Sequence, residues 1–294
     1  MTGRPFYART SYAEAFGLPI IDIPEWRTAV LKRPIPGAGW FDALGCYPLS
    51  SIACNADLAA GLNRLRAADL VSLSLVANPI DGPDSQSLAA AFTVCRAFKT
   101  HYLIDRAQSP ARLSTTHRRW VRKALRECKV SRIRLLDSLG EWQRLYGDTI
   151  KRHRMTGVQT FSAAYFAALA KMPEIEAFVA RVGGEAVAMA LWVRDPEIVY
   201  YHLGASDARG YQTQAMYGIF AVALEYFSRA RMIHLGGAAG VAASEEDGLA
   251  RFKRGFANRR LEAYFCGACL NAEGYAFLSK NSGTTSFFPA YRKP

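Results

Sequence analysis

The sequence has 294 residues, half of them apolar, with 37 Lys and Arg against 25 Asp and Glu for a formal net charge of +12. That length can bury one large core or two joined smaller ones, and usual domain sizes favour two. No apolar run approaches the roughly 18 residues of a membrane span. The opening Met1-Thr-Gly-Arg-Pro-Phe also lacks the apolar stretch of a secretory signal, so a cytoplasmic chain without stable membrane insertion is expected. The six cysteines are too scattered for the disulfide framework of a small secreted domain, and reduced thiols are expected. Oligomeric state is not legible from composition.

Taken in chain order, Leu49–Cys54 and Leu70–Val76 read as strands, separated by a helix over Ala56–Ala67 whose Leu58, Leu62 and Leu65 recur at helical spacing. Asn78-Pro-Ile-Asp-Gly-Pro83 reads as a loop, and Lys99–Asp105 as a further strand. A boundary near Gln108-Ser-Pro-Ala-Arg112 would divide the chain into residues 1–113 and 114–294. Ser114-Thr-Thr116 offers N-caps to a helix that turns Trp120, Val121, Ala124, Leu125 and Cys128 inward and Arg118, Arg122, Arg126 and Lys129 outward. Glu141–His153 and Ser162–Met172 continue as helices. The period then changes to strands at Ala177–Val182, Ala186–Val193 and Ile198–Leu203, joined by Gly183-Gly184 and Arg194-Asp-Pro-Glu197 as hairpin loops. A helix over Thr213–Arg229, a short strand Met232–Leu235, a helix Asp247–Phe256, a strand Leu261–Leu270 and a helical turn Tyr275–Lys280 complete the chain. Periodicity alone gives a mixed α/β protein with an antiparallel component.

The charge is concentrated. Between His117 and Arg134 eight basic residues face a single acid, Glu127, and a second cluster stands at Lys151-Arg-His-Arg154. One-signed charge on a helix attracts polyanions: tRNA phosphates, a nucleotide-linked substrate or a cofactor pyrophosphate. A solvated helix face is the alternative reading.

Four segments resemble the Fem family of aminoacyl-tRNA-dependent ligases. They are Lys99-Thr-His-Tyr-Leu-Ile-Asp105, His117-Arg-Arg-Trp-Val-Arg-Lys-Ala124, Tyr200-Tyr-His-Leu-Gly-Ala-Ser206, and Leu235-Gly-Gly-Ala238 followed by Leu249-Ala-Arg-Phe-Lys-Arg-Gly-Phe256. The last departs from the family pattern in placing Ala257 where a glycine is usual. This resemblance implies two GNAT-like subdomains with mixed, mostly antiparallel sheets flanked by helices, and no coiled-coil arm. It further implies a cleft where the strand after the meander diverges.

By the same resemblance Lys253, with Phe252 beside it, acts near the reacting ester. Aminolysis of such an ester passes through an oxyanion, which a fixed ammonium stabilises; an exposed lysine on an amphipathic helix is the plainer reading. Gly236 and Gly237, Tyr201, His202 and Tyr211 are expected to line the substrate cleft, although a plain turn and core or rim aromatics fit these residue types as well. Arg118, Arg119, Arg122, Lys123 and Arg126 are expected to meet RNA phosphates. The resemblance implies no bound cofactor, aminoacyl-tRNA as co-substrate through its acceptor arm, and a peptide or muramyl-peptide acceptor. An acyl-CoA-dependent N-acyltransferase is the alternative, since the same fold serves both. CoA users present an Arg/Gln-x-x-Gly-x-Gly/Ala loop, and Arg209-Gly-Tyr-Gln-Thr-Gln-Ala215 has Gln212 where the glycine belongs. Gly236-Gly237 lacks the Lys-Ser/Thr of a phosphate loop, and Cys266-Gly-Ala-Cys269 lacks two further ligands for zinc, so it reads as a strand with two buried thiols.

Overall fold

In a computed structural model the described residues are 3–109, 113–155, 157–238, 247–283 and 285–293. Pro110–Arg112, within the expected boundary segment, lies outside them. In chain order the elements are α1 (Thr10–Glu14), β1 (Ile20–Ile23), β2 (Thr28–Pro34), β3 (Phe41–Gly45), α2 (Leu58–Arg66), β4 (Leu70–Ala77), α3 (Ser85–Ala91), β5 (Val94–Asp105) and α4 (Thr115–Glu127). There follow β6 (Lys129–Ile133), α5 (Leu139–His153), α6 (Ala163–Leu169), β7 (Ile175–Val182), β8 (Glu185–Arg194), β9 (Ile198–Ser206), α7 (Ala208–Gln212), α8 (Ala215–Tyr226), β10 (Met232–Gly236), α9 (Gly248–Arg254), β11 (Arg259–Cys269) and α10 (Ala272–Ser279). Among the described residues no helix is long and apolar enough to cross a membrane.

The chain separates into two compact units, Met1–Lys99 with Glu262–Pro294, and Thr100–Leu261. This division differs from 1–113 and 114–294 in returning the end of the chain to the first unit. The reason is a pairing: Tyr264–Cys269 of β11 runs antiparallel to Ser72–Ala77 of β4. Such a partner is invisible to any local pattern.

In the first unit the strand order is β1-β2-β3-β4-β11, antiparallel except for β3 beside β4. Leu49–Cys54 is not a strand; only Ser50 makes an isolated bridge, to Ala77. The strands β1, β2 and β3, which lack a long apolar alternation, were not expected from sequence. Asp57 caps α2 by accepting the Ala60 N–H at 2.9 Å. Trp26 lies across Gly61 of that helix, where a Cβ would come within 2.1 Å of the indole nitrogen.

The second unit orders its strands β5-β10-β9-β8-β7-β6. The meander β7–β9 is antiparallel throughout, with Gly183 and Gly184 both at positive φ in its first turn. Small residues on one face, Ala180, Ala188 and Ala190, let α8 approach, and Phe220, Ala223 and Phe227 of that segment pack with Phe178 and Trp192 in the core. Helix α4 crosses α8 at Gly218, where a Cβ would stand 3.0 Å from Ala124 Cβ. Ser114 caps α4 as expected, accepting the His117 N–H. Two details of the helices differ from the sequence reading. Leu125 is 48% exposed, and His117 occupies the inward position instead. The helix expected over Thr213–Arg229 is α8, Ala215–Tyr226, and a short helix not expected from sequence, α7, precedes it, with Gln214 at a left-handed φ of 58° between the two.

Candidate active site

Lys253 is placed by the apolar side of α9. Phe252 fits against Phe220 and Tyr217, with ring centroids 4.6 and 4.8 Å apart, and Phe256 lies 5.3 Å from Phe220. These aromatic contacts fasten α9 to α8. A second fastening comes from α4. His117 Nε2 faces the Phe252 carbonyl oxygen at 3.0 Å, and its Nδ1 stands 3.0 Å from Ser114 Oγ. A carbonyl only accepts, so Nε2 carries a proton and donates it to the Phe252 oxygen. Gly255 makes room for this ring, since a Cβ there would sit 1.9 Å from Nε2.

Held in this way, Lys253 is only 6% exposed. Its Nζ donates to the Gly237 carbonyl oxygen at 2.7 Å and lies 5.4 Å from the Tyr201 ring centroid. Buried ammonium groups require such partners. Gly236 turns the chain at the end of β10 with φ of +76°, and a Cβ on it would lie 3.2 Å from Lys253 Nζ. The two glycines therefore have separate duties: Gly236 supplies the turn and clearance, Gly237 the acceptor. Ala257 is not at positive φ, so the turn after α9 does not require glycine.

The strands open beside this lysine. Parallel pairing of β10 with β9 covers Met232–His234 against Ile198–Tyr200 and goes no further, while β9 continues along β8 to Ser206. Tyr201 is the first residue past the parting. Its ring lies along its own strand, with the hydroxyl where a Cβ on Gly204 would be, 2.0 Å away.

Alternation along β9 separates the two residues expected to act together. Tyr201 faces Phe220 and Lys253, whereas His202 is buried on the other side with its Nε2 2.9 Å from Tyr165 Oη. Burial pushes the His202 pKa down to about 3. Tyr211 is not with them either. It is 44% exposed on α7, its hydroxyl 3.0 Å from His153 Nε2 and its ring 4.7 Å from the Arg152 guanidinium. Of the basic residues, Arg118, Arg119, Arg122 and Arg126 are exposed on α4, and Lys123 donates from Nζ to the Gln212 carbonyl oxygen at 2.7 Å.

One pair near the site escaped the sequence reading. His101 Nδ1 and His234 Nε2 stand 2.8 Å apart, both buried, with the Tyr200 ring 5.3 Å from that of His234. Burial, and then the charge of Lys253, push the His234 pKa down to about 3. His234 is therefore neutral, and of the two facing nitrogens one donates and the other accepts. Its members come from β5 and β10, distant in sequence, so only the strand register could have revealed them.

Residues 115–254 match the family model of an acetyltransferase (GNAT) domain. The match covers just under half of the chain. Over nearly its whole length the chain is similar to the crystal structure of FemX, with a TM-score of 0.66 at 15% identity over 93% of this chain and 94% of that one. It is also similar to the C-terminal domain of a protein described as a lysylphosphatidylglycerol synthetase from Agrobacterium fabrum, with a TM-score of 0.64 at 13% identity over 91% and 88% of the two chains. L-PGS from Bacillus licheniformis gives 0.56 at 14% identity over 81% and 80%. No curated protein matches the sequence. At such identities the likeness is one of fold, and the fold is the Fem-like form of the GNAT architecture.

Proposed function

We propose that this GNAT domain transfers an aminoacyl group from aminoacyl-tRNA to the amino group of a peptide-like acceptor, a cell-wall precursor or peptide natural product, forming an amide. The observation that carries this reading is the buried Lys253 ammonium where β9 and β10 part. The acceptor amine attacks the ester carbonyl carbon, and the C=O pair moves to oxygen. The Lys253 ammonium at this parting of the strands meets the oxyanion and stabilises the charge that develops there. On collapse the bond to the ribose oxygen breaks, and that oxygen leaves with the proton lost by the amine.

The donor reading rests on α7. Its amides, which in a CoA user would hold a pyrophosphate, are spent internally: Gly210 N–H on Asp207 Oδ1, Tyr211 N–H on Asp207 O, Thr213 N–H on Arg209 O and Gln214 N–H on Tyr211 O. Lys123 occupies the Gln212 carbonyl. An anion finds few donors there. The charge agrees, since the unit Thr100–Leu261 holds 25 Lys and Arg against 15 Asp and Glu, most of the excess of the whole chain. The acyl-CoA reading would need those amides free.

One of the named likenesses points to another class of acceptor: a lysylphosphatidylglycerol synthetase, by its name, aminoacylates a lipid. The test is therefore a donor and acceptor matrix. Purified chain with charged tRNA and a peptide amine should form a new amide that RNase abolishes. Product from acetyl-CoA without tRNA would overturn the donor, and product only with a phospholipid would overturn the acceptor.

A further inference from the structure

The two basic clusters that stand apart in sequence meet across α7. From α4, Lys123 Nζ binds the Gln212 carbonyl oxygen at 2.7 Å; from the last turn of α5, His153 and Arg152 engage Tyr211, one residue earlier. A single five-residue helix thus joins the Arg118–Arg126 face to Lys151-Arg-His-Arg154.

The surface they form is not charge alone. Tyr211 presents a half-exposed ring with the Arg152 guanidinium 4.7 Å from its centroid. Trp120 on α4 is partly exposed, with Arg119 and Lys123 at 5.0 and 5.7 Å from its ring. Beside Tyr211 an open depression of about 590 Å³ is rimmed by Lys151, Arg152 and Arg209. Its other arginine, Arg144, lies 3.9 Å from Asp148 and 3.7 Å from Asp207, and Arg209 meets Glu185 at 3.0 Å, so those two charges are balanced. Among the described residues Lys151, Arg152, Arg119 and Arg122 make no ion pair with an acid.

Flat rings backed by cations accept stacked bases, and flanking lysine and arginine accept phosphates. A lipid surface would ask instead for aliphatic or aromatic anchors that stand clear of charge. We infer that the band running from α4 over α7 to the end of α5 binds RNA, with Tyr211 and Trp120 stacking unpaired bases and Arg119, Arg122, Lys151 and Arg152 on the backbone. That the RNA is a tRNA rests on the function proposed above.

The test is binding of 5′-labelled, uncharged tRNA to the full chain, followed by fluorescence anisotropy. Arg152→Gln with Tyr211→Ala should weaken binding roughly tenfold, and Tyr211→Phe, which keeps the ring, should bind like the unaltered chain. Each cation removed at Arg119, Arg122 or Lys151 should lower the slope of log Kd against log salt by about one. Unchanged affinity in these variants overturns the surface, as does equal loss in Tyr211→Phe and Tyr211→Ala, or a preference for phosphatidylglycerol vesicles over RNA through the same residues. The assay contains neither charged tRNA nor acceptor. RNA binding by this band without amide formation would overturn the transfer reaction alone, and amide formation from charged tRNA that ignores these substitutions would overturn the band alone.

Discussion

Across the β5–β10 pairing, His101 Nδ1 faces His234 Nε2 at 2.8 Å, and the charge on Lys253 reaches the second of these rings. Protonating His234 would put a cation in a buried site beside an ammonium, so that ring stays neutral next to Lys253.

That neutrality makes stability depend on pH. His202 and His234 titrate near 3 when folded against 6.5 when unfolded, in both cases chiefly through burial. The unfolded chain therefore binds more protons below pH 6.5. The stabilisation is complete above that pH and declines as pH falls toward 3, by roughly 1.4 kcal/mol per pH unit for each ring. Urea midpoints should fall between pH 7.5 and pH 5, and His202→Gln should flatten the fall. Equal slopes for the two proteins would contradict the assignment.

Replacing Lys253 separates chemistry from binding. Lys253→Met should lower kcat on the order of 10²-fold while KM changes little, because the ammonium acts on charge that appears only in the transition state. Lys253→Arg should recover part of the loss, limited by the wider guanidinium. A rate equal to that of the unaltered chain in both variants would return Lys253 to a packing role beneath Tyr201.

The His117 ring fits only because residue 255 has no side chain. Gly255→Ala would drive a methyl group to within 1.9 Å of Nε2, and one of the two must move. A cost of about 1–3 kcal/mol is expected, with a lowered kcat as α9 shifts Lys253. His117→Ala in the same chain should restore part of the stability lost to Gly255→Ala. Strictly additive effects in that double-mutant cycle would show that the contact is not the cause.

Gly236→Ala tests the turn at the end of β10. A left-handed φ of +76° costs a residue with a Cβ about 1–2 kcal/mol, and the new methyl would stand 3.2 Å from Lys253 Nζ. Both effects displace the ammonium, so kcat should fall more than the loss of stability alone accounts for.

Local sequence carried the meander, the helix cap at Ser114 and the apolar side of α9, since each is written in a periodicity or a side chain within a few residues. The Fem-type motifs carried the fold of residues 115–254 and pointed to Lys253 with its two glycines. Sequence did not reveal β1, β2 and β3, the short helix α7 with left-handed Gln214 after it, or the inward turn of His117. Short strands and a lone left-handed residue leave little pattern, and a polar residue facing inward does so for a partner elsewhere in the chain.

What the sequence by itself determined is the set of chemical parts: a lysine next to a phenylalanine on a short helix, a Gly-Gly strand end, and two basic clusters. Tertiary structure decided which of them meet. Strand alternation put Tyr201 beside Lys253 and turned His202 away to Tyr165; the register of β5 and β10 produced the His101–His234 pair; and α7 joined Lys123 to Arg152 through neighbouring residues. These are contacts between segments tens of residues apart or more. Their geometry follows from packing and pairing of the whole unit, which no local spacing encodes.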